Sequence, residues 1–117
     1  MIYQEAHIEA DGNDIWQRVA LDSKGMASSV HVMAEPNGRF SIWILWLRPD
    51  IRGAILGGRI IINTMKWLME KAGKMGKNVI HFHCLETNDV ARRLYDGLGF
   101  KVYAIDKGKE YRALHLN

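Results

Sequence analysis

The hydrophobic pattern of this chain changes its period at Pro49, and this change limits the folds open to it. Before Pro49, strand-length segments alternate with turn-forming residues, which predicts an antiparallel meander. The predicted strands are Ile2 to Ala10, Ile15 to Leu21, Met26 to Ala34 and Phe40 to Arg48. After Pro49, apolar residues recur at the spacing of a helix. The sequence therefore predicts an antiparallel sheet followed by a helix that packs on it.

After Pro49, predicted helices and strands follow one another to the end of the pattern. The stripe of the first helix is Ile61, Met65, Leu68 and Ala72. A strand from Val79 to Cys84 precedes a second helix, capped by Thr87 or Asn88. Strands from Phe100 to Ile105 and from Tyr111 to Leu116 complete the pattern. The order is ββββαβαββ, which predicts an α/β fold with one mixed sheet, helices on its faces and a parallel strand–helix–strand unit.

The fourth predicted strand is apolar on both faces. Simple alternation puts Phe40, Ile42, Ile44 and Trp46 on one face and Trp43, Leu45 and Leu47 on the other. A strand that is apolar on both sides is typical of a buried sheet centre. We therefore expect this strand to be central and covered on both faces.

Length and composition narrow the class of protein. The chain has 117 residues, enough for one domain over residues 1–117. Its single cysteine excludes a disulfide framework and a cysteine-based zinc cluster. No apolar run is long enough to span a bilayer and no charged leader opens the chain, so we expect a cytoplasmic protein without membrane contact. The net charge of +3 comes from scattered basic residues, which favours a solvated surface over nucleic-acid binding.

The segment from Leu47 to Arg59 joins the central strand to the long helix and is rich in glycine. A helix start offers unpaired backbone N–H groups and a positive dipole end. Glycine lets an anion approach the backbone, and arginine adds a forked donor. This pattern favours a phosphate or pyrophosphate ligand, although glycines that only permit close packing explain it equally well.

A second motif runs from Asn88 to Phe100, and together the two motifs resemble the GCN5-related N-acetyltransferase (GNAT) family. That family has a strand, a proline and an Arg/Gln-x-x-Gly-x-Gly/Ala loop, followed by Asn-x-x-Ala-x-x-Leu-Tyr-x-x-x-Gly-Phe. The matching residues are Pro49, Arg52, Gly53, Gly57, Asn88, Ala91, Leu94, Tyr95, Gly99 and Phe100. The resemblance implies a GNAT-like acyl-CoA N-acyltransferase fold.

Two departures from the family stand out. The first loop glycine is replaced by Ile55, whose side chain could crowd a pyrophosphate. The two helices that wall the acceptor site in the family have no counterpart, since only the turn from Asp11 to Asp14 joins the first two predicted strands. The acceptor side is therefore open, or a partner supplies its wall.

The resemblance also implies where acetyl-CoA, the cosubstrate, would bind. It would lie where the fourth and fifth strands part, with its pantetheine arm on the backbone of Trp46 and Leu47. The loop would hold the pyrophosphate, and Asn88 and Arg92 would contact the cofactor. The loop residues are Arg52, Gly53, Ala54, Ile55, Leu56, Gly57 and Gly58.

The resemblance makes Tyr95 the general acid that protonates the leaving sulfur; a purely structural aromatic residue is the alternative. The base is not evident, and His83 is our candidate. His81, His31 and Glu35 are further candidates, each better explained by a structural role. Cys84 is expected to pack as a small hydrophobe. No third ligand accompanies His81 and His83, so no metal site is predicted.

Two functions follow from these residues. The first is an N-acetyltransferase that moves the acetyl group of acetyl-CoA to an amine, by direct attack in a ternary complex. The amine acceptor is a small molecule or a protein. The alternative is a catalytically inactive protein that keeps the GNAT fold for binding or regulation. In either case the uncovered first two strands favour a homodimer.

Overall fold

A computed structural model describes residues 1–116, in which seven strands form one mixed sheet. The strands are β1 (Ile2–Ala10), β2 (Asn13–Asp22), β3 (Gly25–Ala34), β4 (Arg39–Leu47), β5 (Val79–Leu85), β6 (Lys101–Asp106) and β7 (Lys109–His115). The helices are α1 (Ile55–Lys74) and α2 (Asp89–Gly97), and a single 3-10 turn spans Pro49–Ile51. Across the sheet the order is β1-β2-β3-β4-β5-β7-β6. The predicted order of elements is confirmed.

Tight turns produce the antiparallel first half of the sheet. β1 and β2 are joined by Asp11 and Gly12 alone, with φ angles of 52° and 77°. Two consecutive positive φ angles fit the right-handed twist of the flanking strands, and glycine adopts them without steric cost. No helix can be accommodated in this two-residue connection, so the absence of the family's first two helices is confirmed.

Both helices pack on the same face of the sheet. From α1, Trp67 donates to the Glu5 carboxylate of β1. From α2, Tyr95 places its ring 4.1 Å from the ring of Phe82 on β5. The hydrophobic core lies between this face and the helices, and it includes the predicted α1 stripe of Ile61, Met65, Leu68 and Ala72. No described element covers the opposite face of the sheet.

β4 lies at the centre of the sheet, as predicted, but it is covered on one face only. Its pairing with β3 shifts register, so that Val32 faces Ile42 while His31 faces Ile44. Trp43 is thus the extra residue of a β-bulge. Past the bulge, Leu45 packs against the core, as does Leu47. Simple alternation therefore fails after Ile42: Leu45 and Leu47 lie on the helix side, and Ile44 and Trp46 on the open side.

Candidate functional site

The centre of the sheet contains a gap between β4 and β5. The two parallel strands pair at only three positions, where Arg39 faces Val79, Phe40 faces Ile80 and Ser41 faces His81. Both strands continue beyond this point, β4 to Leu47 and β5 to Leu85, without pairing with each other. Backbone donors and acceptors on the facing edges are left open to another partner. The expected parting of these strands is therefore present.

A cavity of 480 Å³ lies where the strands part. Its lining residues are Glu35, Ser41, Ile42, Trp43, Ile44, His81, Phe82, His83 and Tyr111. The β4 bulge contributes the exposed Trp43 to this wall. Bulges beside functional sites commonly redirect a side chain in this way. The cavity opens toward the face that carries no helix, and its lining combines aromatic groups with one carboxylate and two imidazoles.

Ser41, His81 and Glu35 form a hydrogen-bonded cluster at the closed end of this gap. Ser41 donates to the Glu35 carboxylate, and its Oγ lies 2.5 Å from His81 Nε2. His81 Nε2 also lies 3.2 Å from Glu35 Oε1. The Arg39 guanidinium is 2.8 Å from His81 Nδ1 and 3.6 Å from the Glu35 carboxylate. Both ring nitrogens of His81 are thus engaged within the chain.

The electrostatics of this cluster favour an ionised Glu35 and a neutral His81. Burial by itself would raise the pKa of Glu35, but the hydrogen bonds from Ser41 and His81 and the charge of Arg39 hold that pKa below its usual value. Burial lowers the pKa of His81, and the Arg39 charge adds to the effect; the Glu35 carboxylate opposes it without cancelling it. Because both ring nitrogens are engaged within the chain, His81 has no free nitrogen with which to accept a proton from a molecule in the cavity.

His83, the candidate base, lies two residues further along β5. Its side chain is exposed and lines the cavity. Its ring lies 5.5 Å from the ring of Tyr111 on β7. Within residues 1–116, no side-chain hydrogen bond engages His83. Of the two β5 histidines, it is the one with free access to a molecule in the cavity.

Tyr95, the candidate acid, is buried on the helix side of the gap. It is 7% exposed and packs against Phe82, which itself lines the cavity. Burial raises the pKa of its phenol well above the usual value, and the nearby Cys84 adds to this. The hydroxyl has no hydrogen-bond partner among the described residues. Tyr95 therefore stays protonated. Its hydroxyl is a hydrogen-bond donor that Phe82 separates from the cavity.

The start of α1 lies at the end of the sheet where the gap opens. Its N-cap residue, Ala54, has no side chain that can accept a hydrogen bond, and no acidic residue stands in the first turn. Gly58 N–H bonds to Ala54 O at 3.2 Å, so the preceding N–H groups of Ile55, Leu56 and Gly57 have no partner within the helix. Three unpaired donors at a positive dipole end are thus available to a hydrogen-bond acceptor.

Two glycines in this segment are there for different reasons. Gly53 has a φ of +74°, a conformation that disfavours side chains. At Gly57, a Cβ atom would lie 2.2 Å from the carbonyl oxygen of Ile51. Gly57 therefore lets the helix start pack directly on the 3-10 turn. Ile55, the departure from the family pattern, is 78% exposed at the first position of α1.

The remaining predicted cofactor residues are partly engaged within the chain. Arg52 Nε donates to the Leu47 carbonyl at 2.8 Å, which occupies part of the backbone expected to pair with pantetheine. Asn88 Oδ1 accepts from Ala91 N–H at 3.2 Å and so caps α2. Arg92 lies 3.2 Å from a carboxylate oxygen of Glu110. The neighbouring Trp46 is half-buried on the open side of β4.

Other sequence candidates lie away from the gap or are inert. Burial raises the pKa of the half-buried Cys84 thiol, which keeps it protonated. His31 lies on β3, paired with Ile44, and is half-buried. None of the described helices combines the length and hydropathy that a membrane span requires.

Comparison with known proteins identifies a matching family. The family model described as "Acetyltransferase (GNAT) family" matches residues 4–100. No curated protein sequence matches the chain.

Several solved structures share the fold. The PaiA N-acetyltransferase from Thermoplasma acidophilum, solved in complex with coenzyme A, has a TM-score of 0.72 at 17% identity, covering 86% of this chain and 60% of that one. An IAA acetyltransferase from Bacillus cereus has a TM-score of 0.72 at 13% identity, covering 87% and 78%. The N-acetyltransferase PseH from Campylobacter jejuni has a TM-score of 0.70 at 16% identity, covering 92% and 71%. The chain thus spans less than two thirds of the PaiA protein.

Proposed function

Because the chain belongs to the GNAT family of acetyltransferases, we propose that it transfers the acetyl group of acetyl-CoA to an amine. The observation that carries this proposal is the coincidence of two features at one end of the sheet. β4 and β5 stop pairing after Ser41 and His81, and the uncapped start of α1 lies where they open. An elongated ligand with a thioester at one end and a pyrophosphate further along matches this arrangement.

The anion site is the part of the cofactor surface that the chain's own geometry supports best. The N–H groups of Ile55, Leu56 and Gly57 are unpaired within α1, and Gly58 has open space around its Cα. We assign the pyrophosphate to the loop from Arg52 to Gly58, including Gly53 and Ala54. Ile55 projects into solvent, so it leaves the backbone donors accessible.

The rest of the cofactor would lie along β4 and near the start of α2. Backbone groups at the end of β4 that face the gap would pair with the pantetheine amides; those of Trp46 point to β3 instead, because Trp46 pairs with Ser29 in the register in which Arg48 N–H donates to Ala27 O. The Leu47 carbonyl could pair with pantetheine only if Arg52 released it, since Arg52 Nε now donates to that oxygen. Asn88 and Arg92 stand at the beginning of α2, where the far end of an extended cofactor would pass.

Acetyl-CoA supplies an activated acyl group whose leaving group is a thiolate. The chain must take a proton from the attacking amine and give one to the sulfur. His83 is exposed to the cavity and has no internal hydrogen bond among the described residues, so it takes the proton, directly or through water. Tyr95 is held protonated by burial and donates to the sulfur from the opposite side of the gap.

A second function is favoured by a specific observation. Arg52 and Arg92, the two arginines assigned to the cofactor, are both bonded within the chain. The acceptor side also lacks the family's wall. These features suit a protein that has kept the fold for binding or regulation without catalysis.

The two functions are separated by measuring thiol release from acetyl-CoA in the presence of amines. The panel contains a polyamine, an arylalkylamine and a lysine-containing peptide. Amine-dependent release supports the transferase, and Tyr95→Phe should lower the rate by ~10²–10⁴-fold at unchanged CoA affinity. CoA binding without release for any amine supports the binding protein. Absence of both CoA binding and release overturns both.

A further inference from the structure

Over the first four strands, the face of the sheet opposite the helices carries one permanently charged side chain, Arg39 at the start of β4, which lies 3.6 Å from the Glu35 carboxylate. We call this surface the open face. It is formed by the outward side chains of β1 to β4, which include Ile2, Gln4, Ala6, Ile8, Ile15, Gln17, Val19, Leu21, Ser29, His31, Met33, Arg39, Ser41, Ile44 and Trp46. Cross-strand partners share a face, so the pairing of Ala6 with Gln17 and of Gln17 with His31 fixes this set.

The distribution of charge is the reverse of that in a solvated sheet. An antiparallel sheet with one wet face normally places its charged side chains there. Here the charged residues of β1 and β2, such as Glu5 and Arg18, lie on the helix side, where Arg18 donates to the Asn63 carbonyl of α1. The open face instead exposes apolar groups, including Ile8 at 48% and Ile44 at 48%. A surface of this composition is typical of an interface.

We propose that a second copy of this chain covers the open face through a two-fold contact. A face whose one fixed charge, Arg39, lies at a strand end beside the Glu35 carboxylate is complementary to itself, because no unpaired like charges meet across the axis. Nucleic acid or an anionic membrane would require a cluster of basic side chains, whereas this face has Arg39, which is already paired with Glu35. Two twisted sheets packed face to face form a sandwich with a core about 10 Å thick.

The size of the face fits this partner. The four strands of the open face, at ~4.8 Å spacing and about seven residues of ~3.4 Å each, give about 460 Å², and the adjoining β5 and β7 extend the surface to about 700 Å². A standard interface buries about 800 Å² on each partner.

The contact would also complete the acceptor site. Ile44 on the open face, and His83 and Tyr111 beside it, line the mouth of the cavity. The partner's sheet therefore forms the wall that the two-residue connection between β1 and β2 cannot supply. This part of the inference rests on the proposed function, whereas the dimer itself does not.

Sedimentation equilibrium over a dilution series tests the dimer without any cofactor. Gln17→Glu adds one charge near the middle of the open face with almost no change in volume. Asn63→Asp makes the same amide-to-acid change on the exposed surface of α1. Ile8→Glu and Met69→Glu form a second pair, with parent side chains 48% and 45% exposed on the open face and on α1.

We expect a dimer for the parent chain, for Asn63→Asp and for Met69→Glu. Gln17→Glu and Ile8→Glu should weaken it at least tenfold while their circular dichroism stays unchanged. A monomeric parent at all concentrations overturns the proposal. A dimer that both open-face variants leave intact also overturns it, since the contact then lies elsewhere. Because CoA is absent, neither result depends on the proposed function.

Discussion

Ser41 and His81 are the last residues at which β4 and β5 pair, and a 2.5 Å contact between Ser41 Oγ and His81 Nε2 joins their side chains at that point. Glu35, which directly follows β3, bonds to both. The strands therefore part at a position that side-chain chemistry holds in place. The cavity begins immediately beyond this cluster.

Replacing Ser41 with alanine should destabilise the fold by about 1–3 kcal/mol. The change removes the hydroxyl that donates to the Glu35 carboxylate and contacts His81. Glu35 and His81 each lose one hydrogen-bond partner. Ser28→Ala is the matched control, because Ser28 is also 5% exposed but makes no side-chain hydrogen bond among the described residues. Urea denaturation measures both. Equal free energies of unfolding for the two variants would show that the cluster contributes nothing.

His81 should make stability fall as the pH drops below about 6.5, its ordinary pKa. Burial lowers the pKa of folded His81, so the unfolded chain binds a proton more readily, and protonation favours unfolding. Stability from this group is complete above pH 6.5 and declines toward the lower, folded pKa. Glu35 acts in the same direction at more acid pH, since its pKa is also lowered in the fold.

The measurement is the melting temperature of three chains between pH 7.5 and pH 5. His81→Gln should flatten the pH dependence in this window. His115→Gln, at the exposed end of β7, should keep the parent profile. A parent-like profile for His81→Gln would contradict the assignment.

Gly57 and Gly58 are adjacent in α1 and should respond oppositely to alanine. A Cβ at Gly57 would meet the Ile51 carbonyl oxygen at 2.2 Å, so Gly57→Ala must move the helix start, at a cost of about 1–3 kcal/mol. A Cβ at Gly58 meets nothing within 4 Å, and alanine gains up to about 1 kcal/mol of helix propensity. Chemical denaturation compares them. An equally stable Gly57→Ala would show that the close contact is not required.

Ile55→Glu should make the protein more stable but a weaker binder of CoA. An acid at the uncapped helix start gains about 0.3–1 kcal/mol from the dipole. The same charge repels a pyrophosphate there, so the Kd for CoA should rise at least tenfold. Ile62→Glu, in the middle of α1 at a parent exposure of 51%, is the control and should leave the Kd unchanged. Unaltered affinity in Ile55→Glu would place the pyrophosphate elsewhere.

The order of elements could be predicted because turns and periods are local features of the sequence. The stripe of Ile61, Met65, Leu68 and Ala72 and the turns between strands required no knowledge of distant contacts. The bulge at Trp43 could not be predicted, because every residue from Ile42 to Leu47 is apolar. In such a run an extra residue does not interrupt any alternation of apolar and polar residues. Simple alternation therefore assigned Ile44 and Leu45 to the wrong faces of the sheet.

The candidate site could be predicted from the sequence only in part, for a related reason. The glycine-rich helix start is one continuous segment, and its uncapped geometry follows from the residues that are present. The cluster of Glu35, Ser41 and His81 joins three elements whose register the sequence does not specify. Its one local signal was Ser41, a polar residue within a strand that is otherwise apolar from Phe40 to Leu47.

The central proposal is that CoA binds in the gap between β4 and β5 and at the start of α1. Titration of ¹⁵N-labelled protein with CoA, followed by amide NMR, tests this assignment residue by residue. We expect the largest shifts at Ile55, Leu56 and Gly57 and along β4 beyond Ser41, with little change in β1. Shifts confined to other parts of the chain, or no shifts at millimolar CoA, would contradict the account.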